Sequence, residues 1–179
     1  MTRCGDADPG YGRGGAVISD GRLLRGHLGR AGHLGHITVN YTGPGDIVGT
    51  PGSLEDAVGN ATVALRTQGR YQNTRELLEA AQGGDEVARE AWDSSMRALT
   101  AGMVSLMNAF DPQDFILGGG IAAGAWELVM AGIQPHLDVF EWRPTGESVR
   151  IVQAKLGEWA GAYGAARSAC LGGGVRLER

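Results

Sequence analysis

Asp114-Phe115-Ile116-Leu117-Gly118-Gly119-Gly120 is the stretch that decides the fold. A short apolar run closed by glycine reads as a buried strand, Asp114 to Leu117, followed by a turn at Gly118-Gly119-Gly120. Downstream, Gly124 to Phe140 reads as a helix, Val149 to Gln153 as a second strand and Trp159 to Leu171 as a closing helix. Strand, helix, strand, helix implies a parallel pair with a right-handed crossover, hence an α/β layered fold. Ligands in such folds sit at the carboxyl ends of the strands, where the Gly118 turn lies. The triplet has two readings. Its amides can approach a nucleotide while a helix amino terminus faces an anion, or it is a tight turn that needs glycine for steric reasons.

Upstream, Asp111-Pro112 stops a long helix that Asp85 can cap, with Val87, Ala91, Ala98, Ala101, Val104 and Leu106 among its inward candidates. Asn73 with Glu76 resembles a capping arrangement that opens Thr74 to Ala81, and Gly83-Gly84 closes it. Helical character starts at Ser53. Before it, Asn40 to Gly52 is an irregular loop and Ile37-Thr38-Val39 a short strand. Gly14 to Ser19, Asp20-Gly21 and Arg22 to Arg25 read as a β-hairpin on the dipeptide best suited to a tight turn. In the closing helix, Gly161 and Ala165 place small residues on one face, a pattern for close helix packing.

Glycine supplies 31 of the 179 residues, more than twice the roughly 7 per cent of an average protein. Collagen is excluded, because there are only 6 prolines and glycine does not recur at every third position. The hydrophobic share of 42% fills a real core. A net charge of -4, few aromatic residues and no basic run remove the electrostatic footprint of a nucleic-acid binder. Cys4 and Cys170 form no metal or redox spacing, so a reducing cytoplasm fits. Met1 to Gly10 is polar and has no signal-peptide core, and the uncharged run Ala98 to Phe110 is too short to span a bilayer. The expectation is a soluble cytoplasmic protein with no membrane partner.

Two further segments carry possible chemistry. Gly10-Tyr11-Gly12-Arg13-Gly14-Gly15 is either a second ligand loop or a flexible terminus. His33-Leu34-Gly35-His36, with Asp46 and Glu55 beyond it, makes a polar cluster in an otherwise apolar sequence. As a metal site its spacing is unusual and it lacks thiolates. Hydrogen-bonded loop histidines are one reading. The other is a site for a polyhydroxylated ligand, since imidazole and carboxylate supply directional donors and acceptors for hydroxyls. Glu55 also fits a plain role at a helix amino terminus.

The order of these motifs resembles the ROK family of bacterial sugar kinases, related open reading frames and sugar-responsive repressors, over nearly the whole chain from Gly10 onward. Family kinases carry a Gly-Thr-Gly-Ile-Gly-Gly phosphate loop, which Gly10 to Gly15 resembles, with Tyr11 in place of threonine and Arg13 in place of isoleucine. Their E-x-G-H sugar motif matches His33-Leu34-Gly35-His36, with His33 where the glutamate stands. Their C-x-C-G-x-x-G-C-x-E segment is similar to Asp46 through Glu55, and their adenosine turn to Gly118-Gly119-Gly120. The ending Leu156 to Ala166 is similar to the kinase type rather than the regulator type.

The resemblance implies an α/β fold, the carboxy-terminal lobe of an actin-like ATPase (ribonuclease H-like), with a mixed sheet, a β-hairpin start and packed helices. It divides the chain into an irregular terminus at 1–9, the lobe at 10–174 and a polar tail at 175–179. It implies an ATP-dependent hexose kinase, with His33, His36 and Glu55 for the sugar and Gly10, Gly12, Gly118, Gly119 and Gly120 for the nucleotide. ATP and Mg belong to the intact family enzyme. Family zinc is held by three cysteines and the histidine. Asp46, Val48 and Ser53 occupy the cysteine positions, so zinc is not expected and the loop should be held by packing and hydrogen bonds. The family's D-x-G-x-T hairpin and its Asn-Asp pair, whose aspartate is the general base, are not found in these residues. No catalytic residue is therefore assigned, and a lone lobe is expected to be inactive by itself. The alternative is a non-catalytic sugar-binding or oligomerisation module, as in the family's regulators; a homo-oligomer is expected because a lobe without its partner exposes apolar surface.

Overall fold

The computed structural model describes residues 14–170. Strands β1 (Ile18–Ser19) and β2 (Arg22–Leu23) form the expected antiparallel hairpin, with Ile18 opposite Leu23 and Ser19 opposite Arg22. Asp20 and Gly21 carry φ of 51° and 72°, the paired positive values that a two-residue turn needs to follow strand twist. The chain then folds back so that the Gly15 amide donates to the Gly32 carbonyl at 2.7 Å. Gly32 has φ +103°, and a Cβ there would collide with the Gly15 carbonyl oxygen.

The strand expected at Ile37-Thr38-Val39 reduces to a single antiparallel bridge between Thr38 and Ser53. Its partner segment is too short for a ladder. The amides of Val39 and Asn40 both turn to the Gly52 carbonyl, and Leu54, which donates to Ile37, already opens helix α1 (Leu54–Val58). Ser53 caps that helix by accepting from the Asp56 amide. Helix α2 (Val63–Arg66) follows. Helix α3 (Thr74–Gln82) starts as the sequence predicts: Asn73 accepts from the Glu76 amide at 3.0 Å, and the Glu76 carboxylate accepts from the Gln72 amide at 2.7 Å.

Helix α4 (Glu86–Phe110) is capped by Asp85 and ends at Asp111, in the left-handed conformation at φ 43°. Its buried stripe is Ala88, Ser95, Met96, Thr100, Met103, Val104 and Met107. Val104 belongs to it as expected, whereas Val87 is 43% exposed. One residue is 100° of helical turn, so burying Ala88 carries Val87 outward. Strands β3 (Asp114–Leu117) and β4 (Arg150–Gln153) are parallel, with Asp114 opposite Arg150 and Leu117 opposite Gln153. Between them run α5 (Gly120–Gly124) and α6 (Trp126–Phe140).

The main core lies between α4 and α6. Met96, Met103, Val104 and Met107 meet Val129, Ile133 and Leu137, and Phe115, Leu117 and Ile151 of the β3–β4 pair pack onto them. A second cluster joins Val63, Tyr71, Leu77 and Ala88, with Trp92 touching both. The class is α/β as implied, but among the described residues the strands form two separate two-stranded sheets, β1–β2 and β3–β4. Helix α7 (Ala160–Cys170) closes the described chain with no residue buried, so the tight packing expected of Gly161 and Ala165 is not made there. Among the described residues no helix is long and apolar enough to cross a membrane.

Candidate functional site

The histidine turn and the loop after it are joined by one carboxylate. Leu34–His36 form a short 3-10 turn, and His36 Nδ1 lies 2.9 Å from Asp46 Oδ2. The other Asp46 oxygen, Oδ1, accepts from the amides of Val48 at 3.0 Å and Thr50 at 2.8 Å. The Asp46 side chain is 2% exposed and that of His36 31%. Burial pushes the Asp46 carboxyl up, but the His36 ring, the Thr50 and Val48 amides and the Ser53 hydroxyl outweigh it and draw the pKa down to about 2. The carboxylate is thus ionised near neutral pH and can only accept. The proton in the His36–Asp46 bond therefore sits on Nδ1, and in the neutral tautomer this leaves Nε2 as the ring's acceptor.

His33 is exposed, and its ring stacks on that of His36 at a centroid distance of 6.3 Å. Glu55 is half-buried in the first turn of α1. Its neighbour Asp56 feels the whole cluster: burial first, then the charges of Asp46 and Glu55, raise its pKa, against Arg66 and His36, which lower it. The structure thus joins His33, His36 and Asp46, and the helix that carries Glu55, α1, packs against the same histidine turn. Ser53 caps α1 and adds a small contribution to lowering the Asp46 pKa. Val48 contributes only its amide. A valine side chain offers no metal donor, so the residues at 46, 48 and 53 do not form the zinc donor set. Among the described residues no three His, Cys, Asp or Glu side chains gather around a metal position. The role of Asp46 as organiser of the loop is the part that motif reading missed. Its local signal is Asp46 followed by Gly49, the pattern of an Asx-type turn.

The glycine triplet lies at the carboxyl end of β3, as predicted. Gly119 caps α5 at φ 99° and ψ 170°, and a Cβ on Gly118 would come within 3.1 Å of the Ala154 Cβ. A Cβ on Gly120 would meet nothing within 4 Å. Gly118 is thus in a tight spot and Gly119 in a backbone conformation that favours glycine, while Gly120 faces open space. The triplet opens a five-residue helix, with the long helix beginning two residues later than expected, at Trp126. Gly118 and the Leu34-Gly35 turn line the same apolar cavity, so the two candidate loops abut one space. Gly10 and Gly12 lie outside the described residues.

The ROK family model matches residues 9–170, and the chain belongs to that family. It is 29% identical to a glucokinase of Aeropyrum pernix over 90% of this chain and 58% of that protein. Among solved structures, a ROK hexokinase from Thermus thermophilus superposes with a TM-score of 0.79 at 34% identity, covering 89% of this chain and 55% of the other. A ROK family glucokinase from Streptomyces griseus, solved in complex with glucose and AMPPNP, gives 0.73 at 28% identity, over 88% and 57%. These relatives carry the actin-like sugar-kinase fold to which the lobe corresponds. The chain spans little more than half the length of these relatives.

Proposed function

We propose that residues 14–170 are the sugar- and nucleotide-holding lobe of an ATP-dependent hexose kinase of glucokinase type. The observation that carries this reading is the His36–Asp46 pair. It fixes the ring tautomer and so leaves Nε2 as the acceptor for a sugar hydroxyl, with Glu55 in the first turn of α1 assigned as the second sugar ligand. The His33 ring, stacked on His36, borders the same ligand. Gly118, Gly119 and Gly120 receive the adenosine end of ATP, with Gly10 and Gly12 assigned to its phosphates.

The reaction passes the γ-phosphoryl group of ATP to a sugar hydroxyl and leaves ADP. Such transfer is largely positioning and charge stabilisation, with nucleophile and leaving oxygen in line. In this lobe His36 and Glu55 hold the sugar so that one hydroxyl is directed at the phosphate. The base that takes the hydroxyl proton is assigned to the part of the longer relatives that this chain does not match. Magnesium, when bound with ATP, neutralises phosphate charge. The regulator reading predicts hexose binding without turnover.

Calorimetric titration of the full chain with glucose and with AMPPNP, together with an assay for hexose-dependent ADP formation, tests the proposal. Binding of both ligands supports it. Binding of glucose alone favours the regulator reading, and binding of neither ligand removes the proposal.

A further inference from the structure

From Gly21 to Gly45 the chain holds no acidic residue, yet it carries Arg22, Arg25 and Arg30 together with His27, His33 and His36. In a chain of net charge -4 this is a local concentration of positive charge. All three arginines are exposed, as are His27 and His33. The ion pairs of the described residues engage Arg70, Arg75, Arg143 and Arg150 and none of these three. Three spaced arginines are too few to track a polyanion, but they suit a single anionic group.

Backbone bonds coil this segment onto the histidine turn. The Ala31 amide donates to the Arg25 carbonyl, the His33 amide to the Arg30 carbonyl and the His36 amide to the His33 carbonyl, each at 3.3 Å. Arg30 therefore stands one turn ahead of His33, whose ring stacks on that of His36, and Arg25 lies beside Ala31. On the other side, α1 packs against the histidine turn and carries Glu55 and Asp56 in its first turn. The proposed sugar corner is thus electrically polarised, with cations on the loop that enters it and carboxylates on the helix that closes it.

We propose that the hexose taken by this corner carries an anionic group, a carboxylate or a phosphate ester, which the loop from Arg25 to Arg30 receives while the hydroxyls face His36 and Glu55. The inference rests on the hexose reading and names its substrate class. The planar guanidinium fork pairs with two oxygens of a carboxylate or phosphate at once, a match that no neutral hydroxyl makes. Position 33 agrees with it. A carboxylate there, the residue type of the E-x-G-H motif, would repel an anionic sugar, whereas the His33 imidazole carries an N–H that donates to one. A neutral hexose would leave the arginines of the loop to water.

Calorimetry and histidine nitrogen-15 NMR on the full chain test it, with glucuronate, glucose 1-phosphate and glucose as probes. The expected result is that a charged sugar binds roughly tenfold tighter than glucose, the scale of one charge-assisted hydrogen bond, and shifts His36. Which of the two does so identifies the anion. Arg30→Gln should bring the ratio of affinities near one, as should salt at about 1 M, where the Debye length is about 3 Å. Glucose that binds and shifts His36 while neither charged sugar binds tighter overturns this inference and leaves the hexose reading standing. A preference that survives Arg25→Gln and Arg30→Gln together, or that comes without a His36 shift, overturns it too, since the anion then lies elsewhere. Binding of none of the three removes both readings.

Discussion

His36 and Asp46 are joined at 2.9 Å across ten residues of sequence, and this bond fixes both the histidine ring and the loop behind it. Asp46→Asn would set an amide NH2 or a single oxygen against Nδ1. Where NH2 faces the ring, the proton moves to Nε2, and the acceptor offered to a hydroxyl becomes a donor. The expected outcome is roughly tenfold weaker glucose binding, the scale of one hydrogen bond. Faster amide exchange at Val48 and Thr50 should accompany it, read by calorimetry and hydrogen exchange on the same samples.

The same carboxylate sets an acid limit. Its pKa in the folded chain is lowered from 3.8 to about 2. A lowered folded-state value contributes stability that is fully present above about pH 4 and is lost as pH falls through 2. Urea midpoints of the native chain and Asp46→Asn should therefore differ most near pH 6 and converge near pH 2. Asp56, with its pKa raised, acts in the opposite sense. A constant difference across that range would contradict the assignment.

The glycine triplet separates packing from ligand approach. Gly119→Ala places a side chain at φ 99°, and about 1–3 kcal/mol of destabilisation is expected. Gly120→Ala meets open space, so its denaturation midpoint should stay near that of the native chain. If adenosine lies against the turn, Gly120→Ala weakens AMPPNP binding at unchanged stability. Paired urea melts and AMPPNP titrations make the distinction.

The core makes its own prediction. Ile133 is fully buried between α4 and α6. Ile133→Ala should cost about 2–5 kcal/mol. Val87→Ala, on the exposed side of α4, should leave the urea midpoint almost unchanged.

Legibility followed the range of the interactions. The Asp20-Gly21 turn, the Asn73 and Asp85 caps and the stop at Asp111 are all local, and the sequence displays each of them. The phase of α4 depends on α6, so the sequence pattern alone does not mark Met96, Met103 and Met107 as its inward face. The Ile37–Val39 strand failed because its partner turns into α1 after one bridge, a tertiary fact. At the site, His36 and Glu55 were legible as residue types near one another in sequence. Asp46 was legible as part of a polar cluster and as a lost metal position, but its bond to His36 across ten residues is a tertiary contact that the sequence does not display. The exposed face of α7 was unreadable for the converse reason, since small residues signal packing without naming the surface they pack on.

The central claim is that His36, held by Asp46, is the hydroxyl acceptor of a hexose site. Nitrogen-15 NMR of histidine-labelled full chain tests it most directly, because the chain contains its own control. His136 also contacts a carboxylate, Asp93, at 2.9 Å, and lies outside the proposed sugar corner. The account predicts that glucose shifts the Nε2 resonance of His36, leaves His136 in place, and needs roughly tenfold more glucose to move His36 in Asp46→Asn. Saturating glucose that leaves His36 unmoved, or that moves His36 and His136 alike, would contradict it.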